Sequence, residues 1–532
     1  MTSQEMGDVY GIGAARSRRG WLLGLTGAQA ALVLIAAFPV WLAMALGQWA
    51  ALLLLAPTWV AVAVLVCVPV RGWSAAQWLG VLARHAVGSA LGWTRWTSRA
   101  AQGDLGRLAP SADSDAEETG DVDAVEDLEE ADLPGILTGL QIHDGPPLAG
   151  TGHRPAIIQN HAERTWSVTA RVHHPGIGMA EGADRWRMGA GLAELLEAAS
   201  AGQQIHALAV QVRTVPDDGT ERADWVRRHH RPIDAPDGEG SLSEQIHAQL
   251  DTVMAGAAMR QEAYVSVVVR EDVLGAAVRR GTRGLAGRAN VLYGLLAEVE
   301  ARLVGAIGCS RVEWLVSTAL AVAIRTGFEP GDAPALADAA LHHAHDEWIP
   351  PGVPVAAAGP ATASTALRSY RHGDWESVAT TILLPRKGAV MGALARALVP
   401  TQMGERRALT VVYRPMSQKA ATRRTGNNAM AATMGRTIND RLGRDERARD
   451  RHAVRHVLET DEKLERGRSL VQVHAALAIT IPAHWNVHDY ARRLDASVRL
   501  CGFTPLPLDG AHDAAFAVAA IPVGAGLPRG RH

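Results

Sequence analysis

Residues 20–70 read GWLLGLTGAQAALVLIAAFPVWLAMALGQWAALLLLAPTWVAVAVLVCVPV and contain no Asp, Glu, Lys, Arg or His. Two apolar runs, 21–46 and 50–70, fill the stretch, with Gly47, Gln48 and Trp49 between them. Each matches the roughly 20 apolar residues that span a hydrocarbon core at the helical rise. Neither run shows the polar face of a soluble helix. The spacing predicts a two-helix transmembrane hairpin, because in lipid a helix satisfies its own backbone. Trp21, Trp49 and Trp73 would mark the interfaces, and Pro39 would kink or shorten the first helix. Arg18 and Arg19 precede the runs and Arg71 follows them. Positive flanks stay cytoplasmic, so a two-pass protein of the inner, plasma membrane is expected, with both termini in the cytoplasm. Its membrane-interface residues would be Arg18, Arg19, Trp21, Trp49, Arg71 and Trp73.

Working outward, residues 1–19 form a basic arm. Residues 72–110 carry Trp73, Trp78, Trp93 and Trp96 among Arg84, Arg95 and Arg99. That pattern predicts an amphipathic helix at the inner membrane surface. Residues 111–134 change character. Asp113, Asp115, Glu117, Glu118, Asp121, Asp123, Glu126, Asp127, Glu129, Glu130 and Asp132 occur with no Lys or Arg. Such a run repels itself and buries little, so a disordered linker is expected. It lacks EF-hand spacing.

From residue 135 on the pattern is globular. Alternating stretches at 155–159, 165–172, 205–215 and 264–270 read as strands. Helices are expected at 183–201, 288–307 and 312–325. After 350, strands at 375–383, 407–414 and 471–481 interleave with helices at 387–398 and 487–501. The order resembles a ferredoxin-like split βαβ unit with an inserted helical pair at 417–464. The fold class expected is therefore α+β. The membrane hairpin would be followed by two ferredoxin-like sandwich units, 135–348 and 349–532, the first a diverged copy of the second.

Composition excludes several classes. The 532 residues hold 53 Lys and Arg against 55 Asp and Glu, so no global field favours nucleic acid. The three cysteines, Cys67, Cys309 and Cys501, have no motif spacing, and neither a disulfide framework nor a Cys-based zinc site is indicated. No GxxxxGK[ST] loop occurs, and Arg386-Lys387-Gly388 lacks its flanking residues. Gly281, Gly284 and Gly287 do not follow a strand end. His342, His343, His345, Asp346 and Glu347 make two i,i+4 pairs on different helix faces, short of a zinc ligand set, so a solvated helix is the favoured reading. His173-His174 and His229-His230 read as loop residues without a nucleophile. No catalytic, cofactor-binding or metal residue is assigned.

The densest basic region spans 406–455. Arg406, Arg407, Arg414, Arg423 and Arg424 lead it and are the candidate partner-docking residues. Interleaved Asp445, Glu446 and Asp450 leave three readings open: a solvated helix, a protein-docking face, or a nucleic-acid site. The acidic linker could also cover this face from within the chain.

His345-Asp346-Glu347-Trp348, Ser369-Tyr370-Arg371-His372, the ALTVVYRP run at 408–415 and residues 477–482 carry a family resemblance. With the order of segments, the chain resembles actinobacterial EccE-like or PrgI-like components of type VII secretion and type IV conjugation clusters. The resemblance implies a non-enzymatic structural subunit beside a separate secretion ATPase and other membrane subunits, in an oligomeric assembly with the lipid bilayer. The alternative is a membrane-tethered enzyme or nucleic-acid-binding protein using 406–455.

Overall fold

The computed structural model describes residues 27–50, 57–62, 69–70, 73–103, 126–216, 259–278, 284–383, 392–426 and 468–527, apart from 149, 151, 178–179, 347, 349 and 403, with short pieces near 226, 242–250 and 459–466. The first apolar run forms α1 (Gly27–Ala45), 19 residues with Pro39 inside. The second run leaves helical geometry before residue 70. β1 (Pro69–Val70) turns back antiparallel on β2 (Trp73–Ser74), with Val70 opposite Trp73. A proline at 69 has no N–H to continue a helix.

Among the described residues no helix is long and apolar enough to cross a membrane. That finding corrects the expected two-pass hairpin, the inner-membrane location and the membrane-interface roles. Of those interface residues, Trp49 lies in a helical stretch just past the turn at Leu46 and Gly47 and is exposed, and Trp73 stands in a strand. Arg18, Arg19, Trp21 and Arg71 lie outside the described residues. The amphipathic stretch contributes α2 (Ala75–Ala90) and then β3 (Arg95–Thr97). The acidic stretch contributes one strand, β4 (Glu126–Glu130), and its other residues up to 125 lie outside the described ones.

The rest is built twice. The first half runs β5 (Leu140–Asp144), β6 (Ala156–Asn160), β7 (Thr165–His173), α3 (Gly182–Gly202), β8 (Ile205–Pro216) and β9 (Met259–Arg270). It continues through α4 (Glu271–Val278), α5 (Leu285–Arg302), β10 (Arg311–Trp314), α6 (Ser317–Phe328) and α7 (Ala333–His343). The second half runs β11 (Thr362–Thr365), β12 (Tyr370–His372), β13 (Trp375–Leu383), β14 (Arg406–Pro415), β15 (Val471–Pro482), α8 (Val487–Leu500), β16 (Thr504–Pro507) and α9 (His512–Ala520).

Within the first half the strands lie in the order β10-β7-β9-β8, all antiparallel. Within the second they lie in the order β16-β13-β15-β14, again all antiparallel. Each is a split βαβ arrangement. The registers superpose strand for strand, so that Ser167-Val168 of β7 stands where Ser377-Val378 stands in β13. Helices α6 and α9 close the halves with matching runs. Ala319, Leu320, Ala321, Val322, Ala323 stands against Ala515, Phe516, Ala517, Val518, Ala519.

The halves are not separate sandwiches. β8 and β14, the open edge of each unit, pair antiparallel from Ala408 opposite Arg213 to Tyr413 opposite Leu208. Gln211 faces Thr410 at the centre of this pairing, on an approximate two-fold axis. An unpaired strand edge carries a row of unmet backbone donors and acceptors, and each half satisfies its edge with the other's. One 14-stranded antiparallel sheet results, in place of the two sandwich units expected.

The two sheet faces are covered differently. On the outer face, α3 and α5 pack over Val168, Leu208 and Val267, and α8 packs over Leu409, Leu477 and Ile479. On the inner face, α6 and α9 share one core with both ends of the sheet, from Leu133 and Ile142 to Ala363 and Tyr370. Every residue of α9 except Asp513 is fully buried. The two sheet ends meet beyond these helices, where the Arg99 N–H donates to Asp132 Oδ2 at 2.6 Å. The sheet thus wraps around two alanine-rich helices, whose small side chains allow the close approach.

Candidate functional site

Strands alternate their side chains between faces, so β8 sends Ala207, Ala209, Gln211 and Arg213 inward. Gln211 Nε2 and Thr410 Oγ1 both donate to the carbonyl of Ala519 on α9, at 2.7 and 3.0 Å. Arg213 Nη1 donates to the carbonyl of Ala323 on α6 at 2.6 Å. Ala323 and Ala519 are the matching positions of the two helices. The central strands therefore bond equivalent points of both.

Arg213 anchors a polar cluster at one end of the inner face. Its Nη2 donates to Glu262 Oε2 at 2.7 Å, to Tyr264 Oη at 3.0 Å and to Thr326 Oγ1 at 3.1 Å. Tyr264 Oη donates to Glu262 Oε2 at 3.0 Å, and Arg260 Nη2 reaches Glu262 Oε1 at 3.3 Å. Burial alone would raise the Glu262 pKa, but Arg213 and then Arg171 outweigh it and hold the carboxyl at about 2. Burial alone would lower Arg171 and Arg213, but Tyr264 and Glu262 outweigh it and hold both above the ordinary value. Next to them on β10, Glu313 Oε1 accepts from Arg311 at 2.6 Å, with His173 3.8 Å from Oε2.

Arg171 differs from its neighbours. It lies opposite Tyr264, with its guanidinium 5.8 Å from the ring and Nη2 3.5 Å from Oη. Its Nε is buried without a hydrogen-bond partner, and among the described residues no carboxylate lies within ion-pair distance of it, although Glu262 acts on it at longer range and Glu313 stands opposite it on β10. Arg406 is similar, on the same inner face two residues from Ala408. Its guanidinium lies 5.8 Å from the Trp375 ring, its Nε is buried without a partner, and burial lowers its pKa to about 10. Arg171, Arg213, Arg260, Arg311 and Arg406 thus share one end of the inner face with Glu262 and Glu313. Guanidinium groups in excess of carboxylates form a receptor for further carboxylate or phosphate oxygens.

The five arginines expected to dock a partner separate. Arg407 is fully buried on the outer face, ion-paired with Glu405 and donating to Ala397 O at 2.7 Å and Ser497 Oγ at 3.0 Å. It stabilises the packing of α8 and faces no partner. Arg406 belongs to the cluster above. Arg414 is half-buried against Gly526 at the opposite end of β14. Arg424 contacts Met416 Sδ at 3.7 Å, and Arg423 is exposed. Most of 427–458 lies outside the described residues.

Two other polar sites serve the fold. His372, in the Ser369-Tyr370-Arg371-His372 run, is fully buried and stacked at 4.4 Å on Phe516. Its Nδ1 bonds Phe328 O at 2.6 Å and its Nε2 bonds Ser377 Oγ at 2.8 Å, which meets Thr480 Oγ1 at 2.7 Å. Burial outweighs the Phe328 bond and lowers its pKa to about 3. Glu329 sits over the Gly373–Asp374 turn. Burial raises its pKa to about 7 against the pull of Arg325, with Asp332 and Asp374 adding to the rise. The His342 cluster ends α7, where His342 Nδ1 bonds Asp338 O at 2.8 Å. Among the described residues no group of three or more His, Cys, Asp or Glu is placed to hold a metal ion.

No family model matches the chain, and no curated protein matches it. The sequence resemblance to secretion and conjugation components, and the terms it suggested, therefore find no counterpart there.

Proposed function

We propose that the chain is a non-enzymatic docking subunit that binds an acidic segment of a partner protein at the arginine-rich end of its inner face. The observation that carries this is Arg171, held against Tyr264 with a buried, unpartnered Nε and no direct ion pair among the described residues, Glu262 acting on it only at longer range. Arg406 repeats the arrangement beside Trp375. Arg407, by contrast, is ion-paired directly with Glu405. The hairpin connection of each half supports a docking role, because each is replaced by a long insertion, 217–258 and 416–470. These insertions leave opposite ends of the antiparallel sheet, which suits a subunit that joins two neighbours. The assembly proposed is of the secretion or conjugation class that the sequence motifs resemble, without the two-span anchor.

Co-purification of the tagged full-length chain from its native cells tests the reading. A partner recovered in fixed ratio with the native chain, and lost with Arg171→Ala or in raised salt, is the expected result. A partner retained by Arg171→Ala at every salt concentration would overturn it.

A further inference from the structure

We infer that the acidic run of this chain, residues 104–125, is itself an occupant of the arginine cluster, in competition with the partner. The inference rests on the docking reading above and adds regulation of the same site. Asp113, Asp115, Glu117, Glu118, Asp121 and Asp123 would add carboxylates to a cluster in which guanidinium groups outnumber them, and no Lys or Arg from 111 to 132 neutralises them.

The flanks of the run place it within reach. The Arg99 N–H bond to Asp132 ties the chain before the run to the chain after it, at the outer end of the sheet. From β4, the strands β5 and β6 lead directly to β7, which bears Arg171. Three strand spacings cover about 14 Å. Residues 104–125 extend to about 70 Å in total, so a loop tied at both flanks reaches about 35 Å outward. Charge provides the selectivity. At the matching positions of the second half, Thr381 stands for Arg171, Gln472 for Arg260, Val412 for Arg213 and Thr504 for Arg311. That half offers no comparable cation cluster to compete for the run.

The test uses a fluorescein-labelled peptide of residues 110–125, titrated by anisotropy at low salt. It is added to the full-length chain and to a full-length variant carrying Asp113→Asn, Asp115→Asn, Glu117→Gln, Glu118→Gln, Asp121→Asn and Asp123→Asn. A tethered competitor acts at high effective concentration, so the peptide should bind the substituted chain about tenfold more tightly than the native one. Adding Arg171→Ala to the substituted chain should weaken that binding about tenfold. Arg311→Ala, at an exposed position, should weaken it with the fold intact. Equal affinity for the native and substituted chains would overturn the inference and leave the docking reading standing. No binding to either would overturn both. Binding that Arg171→Ala and Arg311→Ala leave unchanged would show that the site lies elsewhere.

Discussion

The two halves share a topology and a register and differ in what they place at one end of the inner face. In the first, β7, β8, β9 and β10 bring together Arg171, Arg213, Arg260, Arg311, Glu262 and Glu313. In the second, the matching strands place Thr381, Val412, Gln472, His474, Thr504 and Leu506 there. A strand pair tolerates either set, because its ladder comes from the backbone and its inward packing from alanines and valines along the middle of each strand. The two halves therefore share the fold, while most of the cluster's charge comes from the first, with Arg406 added from the second. The difference marks the charged end as the feature in which the two halves diverge most.

Substitution at the pseudo-equivalent positions Arg213 and Val412 should show the largest contrast. Arg213→Met leaves Glu262 buried without its main partner and removes the bond to Ala323 O, a loss of about 4 kcal/mol in denaturant unfolding. Val412→Ala removes only buried methyl groups, about 2 kcal/mol. Equal losses would break the claim that the charged half depends on its cluster. Next, Arg407→Ala should cost about 3 kcal/mol by stranding Glu405, whereas exposed Arg423→Ala should stay within about 0.5 kcal/mol. The same unfolding measurement distinguishes them.

The pH dependence gives a smaller effect with a definite sign. His372 has a folded pKa of about 3, below its unfolded value of about 6.5. The unfolded chain binds the proton first, so its contribution to stability is present above about 6.5 and falls as pH drops. Glu329, with a folded pKa of about 7, works in the opposite direction. Its raised carboxyl binds a proton more readily folded than unfolded, so stability rises as pH falls from about 7 towards 4.5. Glu329→Gln removes that offset. Its unfolding free energy should drop by about 2 kcal/mol between pH 7 and pH 5, a steeper fall than the native chain shows. An identical slope in both proteins would contradict the assignment. Smallest of all, Arg311→Ala should change stability by less than about 0.5 kcal/mol while weakening acidic-peptide binding, which keeps the two roles of the cluster apart.

Alternation made the strands legible. The stretch read at 471–481 is β15, Val471–Pro482, and the stretch read at 205–215 is β8, Ile205–Pro216. The same pattern held the signal for Arg407, which shares its strand face with Leu409 and Val411 and so points into the outer core. Counting it with a basic surface ignored that parity. Arg213 was legible in the same way, as a charge following Ala207, Ala209 and Gln211 on one face. The duplication was hidden because apolar alternation survives extensive replacement. Identity remains mainly in Ser167-Val168 with Ser377-Val378 and in the Ala319–Ala323 and Ala515–Ala519 runs. The joining of β8 to β14 depends on an edge pairing between distant segments, and no local pattern encodes it. The absence of charge in 20–70 suggested two spans, whereas among the described residues no helix is long and apolar enough to cross a membrane, and Pro69 opens a hairpin.

The most direct test of the account compares one substitution in each half. A fluorescein-labelled glutamate-rich peptide is titrated at low salt against the full-length chain, Arg171→Ala and the matching Thr381→Ala. The account predicts about tenfold weaker binding for Arg171→Ala and no change for Thr381→Ala. Equal affinity for all three would contradict it.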